Sequence, residues 1–122
     1  MSVGIDITDV KKIEELSNRH KGFIERVYTP REINYCKRKR NKYQHFAGRF
    51  AAKESILKAI GTGWTNNIKW TDIEILNDPS GKPKVVVHGK LKELLEKKRI
   101  KDILISISHN RSYAVAYAQL VK

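Results

Sequence analysis

Residues 50–63 read Phe50-Ala51-Ala52-Lys53-Glu54-Ser55-Ile56-Leu57-Lys58-Ala59-Ile60-Gly61-Thr62-Gly63. Phe46, Phe50, Ile56, Leu57 and Ile60, set among alanines, follow a helical period and predict one long helix from about Tyr43 to Ile60. Gly61 and Gly63 close it, because glycine takes the left-handed conformation that ends helices. Glu54 and Lys58 stand four residues apart on this helix. One reading is an exposed ion pair worth about 0.2–0.5 kcal/mol. The other is a carboxylate and an ammonium one turn apart, about 6 Å, offered to a phosphorylated ligand. Arg49 and Lys53 add two cations one turn earlier.

Toward the N-terminus, Thr29-Pro30-Arg31-Glu32 reads as a helix start: a hydroxyl cap, proline in the first turn and glutamate three residues after the cap. That helix carries Ile33, Tyr35 and Cys36 into a basic run of Lys37, Arg38, Lys39, Arg40 and Lys42. Phe23 to Tyr28 is a short amphipathic piece. Val10, Ile13 and Leu16 have helical spacing down to about His20, behind a cap at Thr8 or Asp9. Val3, Ile5 and Ile7 alternate with Gly4 and Asp6, which predicts a first strand with Asp6 on the face opposite the three apolar residues.

Toward the C-terminus, Trp70 to Leu76 reads as a strand that runs into the turn Asn77-Asp78-Pro79-Ser80-Gly81, with Lys84 to His88 as the returning arm. Lys90 to Lys98 is a short helix with Leu91, Leu94 and Leu95 on one face. Ile103, Ile105 and Ile107 mark a strand, and Tyr113 to Leu120 the last. The expected fold class is α+β: a single domain over residues 1–122, with a small antiparallel sheet packed on the long helix.

The chain has 122 residues, and its 25 Lys and Arg against 13 Asp and Glu give a net charge of +12. Such an excess gathers anions: nucleic acid, phosphorylated small molecules or an acidic protein. Charge alone favours a small basic nucleic-acid or ribosome-binding module. No apolar run approaches the roughly 20 residues of a membrane span. The start MSVGIDITDV lacks the basic end and apolar core of a signal peptide, so a cytoplasmic location is expected. The single Cys36 excludes an intrachain disulfide and argues against a cysteine-based zinc site. The chain has no GxGxxG, no phosphate-loop glycine pattern and no Gly-x-Ser-x-Gly.

Asp6, in a predicted strand where Asp is disfavoured, and Glu54, among small helical residues, are the carboxylates that ask for a role. Two carboxylates, water and a substrate phosphate make a usual Mg²⁺ site. His109, in Ser106-Ile107-Ser108-His109, ends a strand at a turn beside hydroxyls, a setting that suits phosphate or an exposed imidazole equally.

Four blocks then occur in order: Gly4-Ile5-Asp6-Ile7; Phe50-Ala51-Ala52-Lys53-Glu54-Ser55 with Lys58-Ala59-Ile60-Gly61-Thr62-Gly63; Asp72-Ile73-Glu74-Ile75 before Gly81-Lys82-Pro83; and Ser106-Ile107-Ser108-His109. Together they resemble the holo-acyl-carrier-protein synthases, the short bacterial 4′-phosphopantetheinyl transferases, from residue 4 to about 118. The resemblance implies transfer of phosphopantetheine from coenzyme A to a serine of apo acyl-carrier protein, with release of adenosine 3′,5′-bisphosphate. It implies Mg²⁺ held by Asp6 and Glu54, with Glu54 and Lys58 as catalytic groups and Lys58 steadying the phosphates. Arg49, Lys53, Ser108 and His109 are the expected coenzyme-binding residues. A metal-bound carboxylate is a poor base, so the proton acceptor for the serine stays open. Where the family often has Arg six residues after the Asp, this chain has Lys12, which keeps the charge but loses the bidentate fork. Docking of the acidic carrier protein is expected at Lys12, Arg19 and Arg26. The resemblance also implies a homotrimer with its active site between chains, and no nucleic-acid or membrane partner.

Overall fold

Gly4 lets the first strand lie directly on the long helix. In the computed structural model, which describes residues 2–64 and 67–122, a Cβ at Gly4 would stand 2.0 Å from the Ser55 carbonyl oxygen and 2.7 Å from the Ala59 amide nitrogen. No side chain fits there. The strand is β1 (Val3–Asp9) and the helix α4 (Lys42–Ile60). Between them come α1 (Val10–Arg19), α2 (Phe23–Val27) and α3 (Pro30–Lys37). A 3₁₀ turn (Trp70–Asp72), β2 (Ile73–Asn77), β3 (Pro83–Val87), α5 (Gly89–Lys97), β4 (Asp102–His109) and β5 (Tyr113–Val121) complete the order. The expected strand from Trp70 thus begins only at Ile73. Asp72 Oδ2 accepts from the Lys69 amide at 3.1 Å and bends the preceding residues into the turn.

Local chemistry accounts for the element ends. Asp9 caps α1, accepting from the Lys11 and Lys12 amides at 2.9 and 3.3 Å. Thr29 and Glu32 form both bonds of the capping box that starts α3. Gly61, at φ 86°, ends α4 and donates to the Leu57 carbonyl at 2.8 Å.

The fold is α+β, and its strands form two sheets. A three-stranded antiparallel sheet, in the order β1-β5-β4, lies on α4, and β2 and β3 make a separate hairpin. The larger sheet presents small residues to the helix: Gly4 on β1 and Ala114, Ala116 and Ala118 on β5, against Ala51, Ala52 and Ala59. Ile103 of β4 and Ile56 and Leu57 of α4 join this core, which Ile73 and Ile75 of β2 and Leu91 and Leu95 of α5 extend. Val3, Ile5 and Ile7 consequently point outward, reversing the usual sense of an alternating strand, and Asp6 points toward α4.

A buried carboxylate ties the hairpin to α3. Glu74, on β2 and 2% exposed, accepts from Arg31 Nη2 at 2.5 Å, Arg31 Nε at 3.1 Å and Thr29 Oγ1 at 2.5 Å, with His88 Nε2 at 3.0 Å. Burial pushes its pKa up, but the hydrogen bonds from Arg31, Thr29 and His88 outweigh this and bring it from 4.5 to about 2. A carboxylate lowered on folding contributes its full stability above the unfolded pKa and loses it as pH falls through the folded one. That lowering corresponds to about 3 kcal/mol, lost between about pH 5 and pH 2. Urea unfolding across that range should show this loss in the native chain and a flatter profile in Glu74→Gln.

Candidate active site

β1 runs antiparallel to α4. Gly4 lies over Ser55 and Ala59, while Val10, just past the strand, shares a cleft with Tyr43 and Gln44. At about 3.3 Å per strand residue and 1.5 Å per helix residue, Asp6 falls near the level of Glu54. Lys58 reaches back to it. Its Nζ donates to Asp6 Oδ1 at 2.9 Å and to the Ile5 carbonyl at 3.1 Å. Asp6 Oδ2 accepts from Thr8 Oγ1 at 2.9 Å, so both oxygens of this carboxylate, 14% exposed, are engaged. Glu54 accepts from Trp64 Nε1 at 3.3 Å. Lys58 therefore pairs with a carboxylate 52 residues away instead of with Glu54, its neighbour on the helix. Asp6 and Glu54 supply hard carboxylate oxygens that could take Mg²⁺, an ion that needs few protein ligands and keeps its water, provided Lys58 gives up its hold on Asp6.

A second constellation lies on another side of α4. Tyr35, His45, Gly48, Arg49, Asn77, Gly81, Pro83, Ile107 and His109 line a cavity of about 180 Å³. Arg49, 5% exposed, packs its guanidinium over the Tyr35 ring at 4.2 Å and donates from Nη2 to Asn77 Oδ1 at 2.7 Å. Its buried Nε has no hydrogen-bond partner among the described residues. A buried, unpaired N–H of a permanent cation is a costly arrangement that an anion would relieve. The His45 and His109 rings meet edge to face at 4.9 Å. Burial, with the charges of His109, Lys39 and Arg49, pushes the His45 pKa down to about 4, so that ring is neutral at physiological pH. Arg49 and Lys58 are nine residues apart on one helix, and at about 100° per residue they face opposite directions.

Two expected coenzyme ligands do not line this cavity. Lys53 is wholly buried: its Nζ donates to Glu32 Oε1 at 2.8 Å, the Val27 carbonyl at 2.7 Å and the Trp70 carbonyl at 3.1 Å. All three donors of the ammonium are used inside the protein, so Lys53 is a structural cation and presents nothing to a ligand. Ser108 is exposed on the outer face of β4, whereas His109, the next residue, faces α4, because successive strand side chains alternate. Lys12, Arg19 and Arg26 are exposed, and no ion pair among the described residues engages them. Burial pushes the Cys36 thiol up to about 12, so it is a protonated core residue. Tyr35, His45 and Asn77 belong to the cavity without having been expected there. For His45 a signal was available, since it precedes Arg49 by four residues on the same helical face.

Two clusters of cationic and hydrogen-bonding side chains on opposite sides of one helix suit a ligand that carries phosphate at more than one place. The chain belongs to the 4′-phosphopantetheinyl transferase superfamily, whose family model matches residues 2–118. Within that superfamily it is similar to holo-[acyl-carrier-protein] synthases, being 41% identical to the protein of Solibacter usitatus over 98% of this chain and 97% of that one. Among solved structures, the holo-[acyl-carrier-protein] synthase of Neisseria meningitidis superposes with a TM-score of 0.89 at 30% identity, covering 99% of this chain and 98% of that one. The Helicobacter pylori synthase, solved in complex with coenzyme A, gives 0.83 at 32% identity, over 97% of this chain and 98% of that one. The chain is a phosphopantetheinyl transferase.

Proposed function

We propose that Asp6 and Glu54 hold Mg²⁺ and Lys58 meets the phosphate oxygens as this chain moves the 4′-phosphopantetheine group from coenzyme A to a serine of apo acyl-carrier protein. One observation carries the assignment: the Asp6 carboxylate and the Lys58 ammonium, far apart in sequence, meet at 2.9 Å at the level of Glu54. Bound there, Mg²⁺ would neutralise the diphosphate of coenzyme A. The serine Oγ attacks the phosphorus that carries pantetheine, losing its proton, and the bond to the departing adenosine 3′,5′-bisphosphate breaks. Lys58, released from Asp6, stands where negative charge gathers on the leaving phosphate. Glu54, directly or through a bound water, is the candidate for the serine proton.

Arg49 and His109 take the 3′-phosphoadenosine end in the cavity they line, which supplies the buried Arg49 Nε with an anion. Within one chain α4 stands between this cavity and Lys58, and a site shared between chains would bring both to one coenzyme molecule without wrapping it around the helix. We therefore assign the working unit as a homotrimer in which one chain contributes Asp6, Glu54 and Lys58 and a neighbour contributes the Arg49 cavity. The outward face of the larger sheet supports this. Ile5 and Ile7 are 61% and 67% exposed, and Val3, Leu104, Tyr113 and Tyr117 extend the same apolar surface. Isolated monomers rarely leave such a patch uncovered. Lys12, Arg19 and Arg26 are assigned to the acidic carrier protein, and the working location to the cytoplasm.

Incubation with coenzyme A, Mg²⁺ and an apo carrier protein, followed by mass measurement, should add one phosphopantetheine per carrier. No mass gain would overturn the function. Sedimentation should give three times the chain mass, and Ile7→Lys should shift it to monomer with loss of transfer. A fully active monomer would refute the shared site.

A further inference from the structure

The first turn of α4 forgoes its cap. Asn41 stands at the N-cap, where its side chain ordinarily accepts from a first-turn amide, yet it makes no such bond. Its Nδ2 donates instead to Gln44 Oε1 at 3.0 Å, and the same oxygen stands 3.0 Å from His109 Nδ1, 65 residues further along the chain. The opposite edge of the imidazole faces Gly48, where a Cβ would lie 3.9 Å from His109 Cδ2. Gly48, Arg49 and His109 line one cavity, so the Cδ2–Nε2 edge is the one turned toward it. The neutral His45 ring, edge-on at 4.9 Å, confines His109 from the side.

We propose that Gln44, braced by Asn41, is a positioning residue that holds the His109 ring with Nε2 turned into the Arg49 cavity, where it meets the 3′-phosphate of coenzyme A. The inference rests on the reading of that cavity as the 3′-phosphoadenosine site. Without Gln44 the imidazole is free to rotate its Nδ1 edge away, and the second hydrogen bond to the phosphate is lost for much of the time.

The test compares the native enzyme with Gln44→Leu and Gln44→Glu, on coenzyme A and on 3′-dephospho-coenzyme A. Gln44→Leu should raise KM for coenzyme A about fivefold to tenfold, somewhat less than the loss of a whole hydrogen bond to a charged group because the freed ring still meets the phosphate part of the time, with a much smaller change for the dephospho substrate. The preference for coenzyme A then falls by about that factor. Gln44→Glu keeps an acceptor for Nδ1 and should retain the preference. Equal rises in both KM values, or an unchanged ratio in Gln44→Leu, would overturn the positioning role. A native enzyme with no preference between the two substrates would overturn the cavity assignment beneath it. Nitrogen-15 NMR of the substrate-free protein separates the two failures. His109 should show one ring tautomer in the native chain and a tautomer mixture in Gln44→Leu, and an unchanged spectrum would show that Gln44 does not hold the ring.

Discussion

Glu54→Gln and Asp6→Asn should each lower kcat/KM for carrier-protein loading by a factor of about 10³ or more, the scale on which fixed charge at a reacting phosphate contributes to rate. Each substitution keeps the side chain's shape and removes one negative charge, so the loss should appear in transfer and not in folding. Asp6→Asn does break the contact with Lys58, but that ammonium is 54% exposed. A solvent-screened pair of this kind contributes no more than about 1 kcal/mol. Thermal melts of both variants should therefore stay within about 4 °C of the native chain. Metal titration of the catalytic rate should show weakened Mg²⁺ dependence in each. Both variants retaining full activity would remove the two carboxylates from the mechanism.

Lys53→Met should have the largest effect on stability, about 3–5 kcal/mol, because it leaves the Glu32 carboxylate buried without its cation. Both side chains of this pair are wholly buried. Desolvation holds the Lys53 pKa below its ordinary value, and the Glu32 charge opposes that shift. At about 4 °C per kcal/mol for a chain of this size, melting should drop by about 12–20 °C. Adding Glu32→Gln should recover only part of the loss. Glu32 also accepts from the Thr29 and Ile75 amides through its two oxygens, at 2.9 Å each, and an amide side chain can serve only one of them. Below its melting temperature, Lys53→Met should keep the native KM for coenzyme A. A raised KM with unchanged melting would return Lys53 to the coenzyme site.

What the sequence made legible was local. The capping box at Thr29 and Glu32, the Asp9 cap and the Gly61 stop each depend on residues within four positions of one another, so composition at fixed spacing reveals them. The long helix was legible because its period repeats over five turns. One misreading had a remedy in the same period: Lys53 follows Arg49 by four and precedes Ile56 by three, on the inward face of α4. In the last-but-one strand, alternation already separates Ser108 from His109 and puts the two on different faces of the sheet.

The sequence by itself determined the elements, their order, and the carboxylates and cations available for phosphoryl transfer. Tertiary structure decided which of them meet. Lys58 chose Asp6 over Glu54 because Gly4 lets β1 lie against α4 and bring that carboxylate within reach. Glu32 served its own helix cap and also neutralised Lys53, since its second role depends on a residue 21 positions away. The 25 Lys and Arg behind the +12 charge, which alone suggested nucleic acid, divide into one buried structural lysine, the cations of two sites on opposite sides of one helix, and an exposed remainder. Net charge is a sum over the chain, whereas binding depends on where each charge lies, and the folded backbone sets those positions.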